Sequence, residues 1–133
     1  MNQNQAEQAG ASAAWAVISI TRPIDAEPRL AGGWFDVLRL KFDDVDGAHE
    51  GSREFSKEQA EQVVSYVRRV APSVDCILVH CHAGLSRSAA VAKFIAESQG
   101  LAFPEHYAVY NRFVYRSLNK VLWAEAYGDD VLY

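Results

Sequence analysis

Residues 76–98 read CILVHCHAGLSRSAAVAKFIAES, and they carry the strongest indication of the fold. Its first four residues are apolar and, with the histidine that follows them, predict a buried strand. The chain then turns through Gly84, and the apolar spacing beyond it predicts a helix from about Ser88 to Ser98. A strand that leads through a tight turn into a helix is typical of an α/β layered domain.

Upstream and downstream of this stretch, the pattern predicts further strands and helices. The run 14–20, AWAVISI, is continuously apolar, and 34–42 alternates apolar with charged residues in its second half. Ser56 and Gln59 have the spacing of a capping box at the start of a helix. The stretch 104–127 predicts one further, longer helix. Together these elements predict a small central, mainly parallel sheet flanked by helices.

Length and composition bound the domain organisation. The chain has 133 residues, of which 50% are hydrophobic, and this is the length of one ordinary domain. Residues 1–13 are polar and rich in Gln and Ala, and we expect a flexible leader there rather than a signal peptide. Residues 14–133 are expected to form a single domain.

The net charge of the chain disfavours several classes of partner, and the spacing of its two cysteines disfavours a disulfide. The formal net charge of −4 disfavours nucleic acid and anionic membranes, since both attract clustered Lys and Arg. No segment approaches the length of a transmembrane helix. Cys76 and Cys81 lie five steps apart along one predicted strand, roughly 16 Å, which is beyond disulfide reach. Two free cysteines predict a reducing, cytoplasmic setting.

The chemistry of the chain is concentrated around Cys81, where the predicted strand ends and ligands bind in parallel α/β sheets. Backbone N–H groups of the turn can converge into an anion-binding nest, and the helix N-terminus adds the positive end of its dipole. A cysteine in this place is expected to have a lowered pKa and to be largely a thiolate at neutral pH. Arg87 is suited to bind two oxygens of a phosphate. The segment therefore predicts phosphoryl transfer to sulfur.

The segment HCHAGLSRS, residues 80–88, resembles the signature of protein tyrosine phosphatases, a cysteine followed by five residues and an arginine. Its full residue pattern, His-Cys-x-Ala-Gly-x-Ser-Arg-Ser, is similar to that of the dual-specificity branch. The stretches 17–20, 38–45 and 110–116 resemble small bacterial and phage proteins that are predicted tyrosine phosphatases. The resemblance implies a cysteine-phosphatase fold, with a single phosphatase catalytic domain over residues 14–133.

The resemblance also implies a role for each residue of the signature. Cys81 would attack phosphorus and carry a thiophosphate intermediate that water hydrolyses, while Arg87 clamps the phosphate. The Ser88 hydroxyl would hydrogen-bond the sulfur and ease its departure, and His80 would order the loop. The phosphate oxygens would be bound by the residues that follow the nucleophile: His82, Ala83, Gly84, Leu85, Ser86 and Arg87.

The family also uses an aspartate from a loop upstream of the cysteine to protonate the leaving group. The chain has no Trp-Pro-Asp sequence, but Asp43, Asp44 and Asp46 follow the second predicted strand. The similarity of residues 40–44, LKFDD, to the dual-specificity pattern favours Asp44 as the general acid, then Asp43. The alternative is an acidic, solvated turn without a catalytic role.

Several other polar and aromatic residues have plainer interpretations. His80 and His82 flank Cys81 but lack a third ligand at a usual spacing, so we expect no metal site, and no cofactor is implied. Asn111 is assigned a structural role. Three aromatic residues are expected to pack in the core rather than to line a substrate cleft: Tyr107, Tyr110 and Tyr115. Four cations could each supply a second phosphate contact, and the sequence does not choose among them: Arg22, Arg29, Arg53 and Arg112.

The leading hypothesis is a phosphomonoester hydrolase, a protein tyrosine or dual-specificity phosphatase, that acts on a phosphorylated protein or peptide. Two alternatives stay open. One is a phosphatase of lipid, nucleotide or RNA phosphates, which the acidic net charge disfavours. The other is a pseudophosphatase that binds phosphate without turnover. An arsenate reductase of the low-molecular-weight type fits poorly because Cys81 lies in the middle of the chain.

Overall fold

The structure, a computed structural model, describes residues 1–128. Within these residues it contains three strands and four helices, with a short 3₁₀ turn at Ala71–Ser73. The strands are β1 (Trp15–Thr21), β2 (Asp36–Lys41) and β3 (Cys76–His80), and the helices are α1 (Gln3–Gln8), α2 (Lys57–Val70), α3 (Arg87–Ser98) and α4 (Arg112–Tyr127). The strands form one parallel sheet in the order β2-β1-β3. The predicted small parallel sheet flanked by helices is therefore confirmed.

The register of the sheet brings three chain segments to one edge. β1 is the central strand, with Thr21 opposite Lys41 of β2 and Ser19 opposite His80 of β3. All three strands run in the same direction, so their carboxyl ends meet at the same edge of the sheet. The loops that follow β2 and β3 start there, which is the edge where ligands bind in sheets of this kind.

The apolar core lies between the sheet and helices α2, α3 and α4. Ile18 of β1, Val91 of α3 and Leu118 of α4 are all fully buried in it. Because successive side chains of a strand point to opposite faces, Val17 and Ser19 lie on the other face of β1, and both are also buried. The sheet is therefore covered on both faces around β1, which explains why its sequence is apolar without alternation.

The sequence prediction is right for the beginning of one long helix and wrong for the beginning of another. At α2 the capping box is confirmed: the Ser56 hydroxyl accepts the Gln59 N–H at 3.0 Å, and the Gln59 side chain accepts the Ser56 N–H at 3.0 Å. At α4 the predicted start at residue 104 is wrong, because the helix begins at Arg112. Asn111 caps it by accepting the Val114 N–H at 3.0 Å. Among the described residues, no helix is both long and apolar enough to cross a membrane.

The segment for which we expected a flexible leader contains a short capped helix. The Asn2 side chain accepts the Gln5 N–H at 2.8 Å, and the Gln5 side chain accepts the Asn2 N–H at 3.0 Å. Ala6 in this helix, α1, is fully buried. The sequence did not indicate this helix, because the surface on which α1 packs is formed by distant parts of the chain.

Candidate active site

Residues 81–87, called the signature loop below, connect β3 to α3 at the carboxyl edge of the sheet. Gly84 has a φ of +74°, a left-handed conformation that glycine adopts without strain, and it turns the chain toward the helix. Ser86 is the N-cap residue of α3, but its hydroxyl donates to Asp44 instead of capping the helix. The first N–H groups of α3 are therefore left for the sulfur of the nucleophile and for an anion.

The side chain of Cys81 lies at the base of this loop and is 2% exposed. Its Sγ is 3.2 Å from the Ser88 Oγ, and the Gly84 N–H donates to it at 3.3 Å. Burial raises the pKa of the thiol, but hydrogen bonds from Ser88 and Gly84 and the charge of Arg87 outweigh burial. The pKa of Cys81 therefore lies below that of an ordinary cysteine. The site favours the thiolate, which is the nucleophilic form.

The guanidinium of Arg87 is held beside the nucleophile and is almost fully buried. Its Nη1 donates to the Phe42 carbonyl oxygen at 2.9 Å, at the end of β2. Its Nε is buried and has no hydrogen-bond partner within residues 1–128. A buried donor without an acceptor costs about 1–3 kcal/mol. An oxyanion bound in the signature loop would supply the acceptor that Nε lacks.

His80 connects the end of β3 to the central strand. It is fully buried, and its Nε2 lies 2.6 Å from the Ser19 Oγ on β1. Burial lowers the pKa of His80, so the imidazole is neutral at pH 7. His80 thus hydrogen-bonds to a residue of the central strand, and its expected role in ordering the signature loop stays a prediction. Ser19 was not predicted as a site residue, because its only signal in the sequence is a hydroxyl within an otherwise apolar run.

The residues expected to contact the phosphate oxygens share one short segment. Three of them, His82, Ala83 and Leu85, are exposed, while Gly84 and Ser86 are partly buried. Their side chains therefore form the rim of the site, and the groups available to an anion inside it are backbone N–H groups. Because backbone groups would bind the anion, the side chains of the loop need not share one chemical type.

Asp44 lies against the signature loop. Its Oδ1 accepts a hydrogen bond from the Ser86 hydroxyl at 2.9 Å and another from Asn111 Nδ2 at 2.8 Å. Among the described residues, no group hydrogen-bonds to its other oxygen, Oδ2. The carboxyl group is thus held through one of its two oxygens.

The two other candidate acids have different partners. The Asp43 carboxylate accepts the Arg53 N–H at 2.8 Å, and the Asp43 N–H donates to the Arg53 carbonyl at 2.7 Å, which closes the loop between them. Asp46 lies 2.8 Å from His49 in an exposed pair, and a hydrogen bond from His49 is the main cause that lowers the pKa of Asp46. Of the three aspartates, only Asp44 hydrogen-bonds to the signature loop.

The chain that precedes α4 supports the site from the outside. The Tyr107 hydroxyl donates to the Leu85 carbonyl oxygen, and the Asn111 N–H donates to the Ser86 carbonyl oxygen at 3.1 Å. The structural role expected for Asn111 is confirmed by its helix cap, and the same side chain also holds Asp44. Tyr107 was expected to pack in the core, but its hydroxyl contacts the signature loop.

An ion pair lies near the rim of the site. Arg22 Nε is 2.9 Å from Asp25 Oδ2, just beyond the carboxyl end of β1. The hydrogen bond from Arg22 lowers the pKa of Asp25, and the charges of His82 and Arg87 act in the same direction. Arg22, one of the four candidate second phosphate contacts, is therefore already paired with a carboxylate. Sequence reasoning had no signal for Asp25, because its proximity depends on the fold.

A cleft of about 610 Å³ lies between the loop after β2 and the start of α4. Arg112 is one of its walls: the guanidinium lies 4.7 Å from the ring centroid of Tyr110, and Nη1 donates to that hydroxyl at 2.9 Å. Arg116, four residues further along the same helix, also lines the cleft. Within residues 1–128, neither arginine has a carboxylate within ion-pair distance. The remaining lining residues are Asp44, Val45, Asp46, His49, Ser86, Asn111 and Phe113.

The sequence matches no protein-family model and no curated protein. The fold, in contrast, is similar to solved structures. One is the human tyrosine phosphatase-like serine/threonine/tyrosine-interacting protein, with a TM-score of 0.64 at 17% identity over 94% of this chain and 90% of that one. Another is human DUSP28, with a TM-score of 0.56 at 20% identity over 92% of this chain and 87% of that one.

These similarities define the class of fold. The chain has the α/β fold of the dual-specificity phosphatases, with its three-stranded parallel sheet and surrounding helices. At such low identity the likeness shows the fold alone, and function has to be argued from the residues of the site.

Proposed function

We propose that this protein is a cysteine-dependent phosphomonoester hydrolase. The observation that carries the proposal is the pairing of a thiol of lowered pKa, Cys81, with the buried Arg87, whose Nε has no partner among the described residues. A thiolate beside an unsatisfied guanidinium and a helix N-terminus is suited to attack a bound phosphate ester. The contact between Ser88 and the sulfur adds support for a thiolate leaving group.

In the first step the Cys81 thiolate attacks phosphorus, a P–S bond forms and the bond to the ester oxygen breaks. The departing oxygen takes a proton from Asp44, whose Oδ2 is the unoccupied carboxyl oxygen. In the second step a water oxygen attacks the phosphocysteine and gives a proton back to Asp44. The P–S bond then breaks, and the Ser88 hydroxyl stabilises the returning thiolate. Arg87 and the loop N–H groups hold the phosphoryl oxygens throughout.

The proposed substrate is a phosphorylated protein or peptide. The 610 Å³ cleft is lined by Asp44 and by Ser86 of the signature loop, and it offers a place for residues that flank the phosphorylated one. Arg112 and Arg116 line this cleft without an ion pair to a carboxylate in the described chain, although the charge of Arg116 helps to lower the pKa of Asp46, which is paired with His49. The cleft therefore favours a peptide with an acidic residue beside the phosphorylated one.

The test of the proposal is hydrolysis of para-nitrophenyl phosphate by the reduced protein. We expect turnover in the wild type, loss of turnover in Cys81→Ser, and near-normal turnover in the matched control Cys76→Ser. The rate should fall as the pH falls through the lowered pKa of Cys81, because the nucleophile becomes protonated. A wild type that binds phosphate or tungstate but never turns over would replace hydrolysis with binding alone as the function.

A further inference from the structure

The chain before β1 makes backbone hydrogen bonds with the nucleophile and with the residue that follows it. The Met1 carbonyl oxygen accepts the N–H of Cys81 at 3.3 Å, and the Gln3 N–H donates to the His82 carbonyl oxygen at 3.1 Å. The Cys81 N–H and the His82 carbonyl belong to the first two residues of the signature loop. The backbone of these two residues determines where the Cys81 side chain points. Residues 1–3 therefore lie alongside the start of the signature loop.

The approach of the two segments is unusually close at Gly84. A Cβ atom added there would lie 2.7 Å from the backbone carbon of Met1 and 2.7 Å from the backbone nitrogen of Asn2. Backbone atoms cannot rotate away as a flexible side chain can, so the contact leaves no space for any other residue. The absence of a side chain at Gly84 lets the N-terminal chain pack directly on the loop.

The N-terminal chain is itself held by contacts that do not involve the signature loop. The capping box between Asn2 and Gln5 fixes the start of α1, and Ala6 is fully buried. The Glu7 carboxylate accepts the Arg29 N–H at 3.2 Å, which connects α1 to the loop after β1. Because the segment is anchored in this way, it can act as a fixed support and need not follow the loop.

We propose that residues 1–8 are a positioning element that holds the signature loop in its anion-binding conformation through the backbone of Cys81 and His82. This inference goes beyond the proposed function, and its first test does not require turnover. The segment acts through Cys81 and touches no reacting atom. Its loss should loosen the loop and weaken the hydrogen bonds that Gly84 and Ser88 make with the sulfur.

The variant Ala6→Gln tests the proposal by forcing a larger, uncharged side chain into the buried site beneath α1. Ala6 lies outside the main core cluster, so the rest of the fold should persist. The matched control is Ala13→Gln, the same exchange at an exposed alanine. The readout is the rate of Cys81 alkylation by iodoacetamide as a function of pH, measured in a Cys76→Ser background with folding checked by circular dichroism.

We expect Ala6→Gln to shift the midpoint of the alkylation–pH profile of Cys81 upward by about one unit, so that alkylation slows up to about tenfold at pH values below that midpoint, and to lower kcat, with little change in the control. A folded Ala6→Gln protein with an unchanged alkylation profile would overturn the proposal. If Ala6→Gln does not fold, Asn2→Ala, which removes only the cap of α1, decides the question. A smaller shift in the same direction supports the inference, and an unchanged profile rejects it.

If the protein alkylates as expected but does not hydrolyse phosphate esters, the positioning role stands and the proposed hydrolysis fails. If hydrolysis occurs but both N-terminal variants match the wild type, the proposed hydrolysis stands and the positioning role fails. The two proposals are therefore separable by the same set of variants.

Discussion

The signature loop, residues 81–87, and the acid loop, defined here as residues 43–54, supply the two halves of the proposed site by different means. The signature loop holds its reactive groups, Cys81 and Arg87, in buried positions, and Arg87 donates a hydrogen bond to Phe42, the residue that follows β2. The acid loop presents Asp44 on the surface, fixed by two hydrogen bonds to other segments. The comparison shows that nucleophile and phosphate clamp depend on core packing, whereas the acid depends on a few polar contacts that can be removed one at a time.

The largest effect is expected from Arg87→Lys, on the buried side of this comparison. A lysine ammonium cannot donate to the Phe42 carbonyl and to a phosphate in the planar geometry of a guanidinium. We expect kcat/KM for para-nitrophenyl phosphate to fall about a thousandfold. Arg69→Lys, at an exposed arginine that pairs with Asp36 at the opposite edge of the sheet, should leave it unchanged. Retention of wild-type activity by Arg87→Lys would contradict the assigned clamp.

A smaller effect, which depends on the substrate, is expected from Asp44→Asn in the acid loop. The amide cannot donate the proton that a poor leaving group requires, so phenyl phosphate should slow about a hundredfold. Aryl phosphates with good leaving groups should slow far less. The control Asp43→Asn should show no such dependence on the leaving group, because the Asp43 carboxylate accepts the Arg53 N–H. The opposite pattern would transfer the acid role to Asp43.

Asn111 joins the two halves, and its replacement should have an intermediate effect. Asn111→Ser keeps an oxygen that can cap α4 but removes the N–H group that donates to Asp44. We expect kcat to fall about tenfold for poor leaving groups, with thermal stability within about 1 kcal/mol of the wild type. Equal losses for good and poor leaving groups would show that Asn111 does not act through Asp44.

The smallest effect is expected at the outer wall of the cleft. Arg116→Ala should lower kcat/KM about threefold for a phosphotyrosine peptide with glutamate next to the phosphotyrosine, since an exposed ion pair contributes up to about 1 kcal/mol. Hydrolysis of the same peptide with alanine in that position, and of para-nitrophenyl phosphate, should not change. Equal losses for all three substrates would remove the cleft from the substrate site.

The sequence predicted the fold wherever the signal was local. The capping box at Ser56 and the strand–turn–helix unit around Gly84 were found at their observed places, because short-range spacing determines both. The start of α4 was misplaced, since the residues after Pro104 form a single hydrogen-bonded turn and then bond to the signature loop through Tyr107 and Asn111. The order in residues 1–8 was missed because a six-residue helix is stable only through the surface on which it packs.

The same division applies to the candidate site. The sequence by itself determined that Cys81, Arg87 and Ser88 would share one turn, because a strand end and a helix start separated by a few residues leave little conformational choice. The contact of Asp44 with that turn, which Asp43 and Asp46 do not make, depends on how distant segments pack together. The same packing determines which segments surround the turn, among them residues 1–3. These contacts join residues far apart in the chain, and they arise only when the parallel strands align their carboxyl ends at one edge of the sheet.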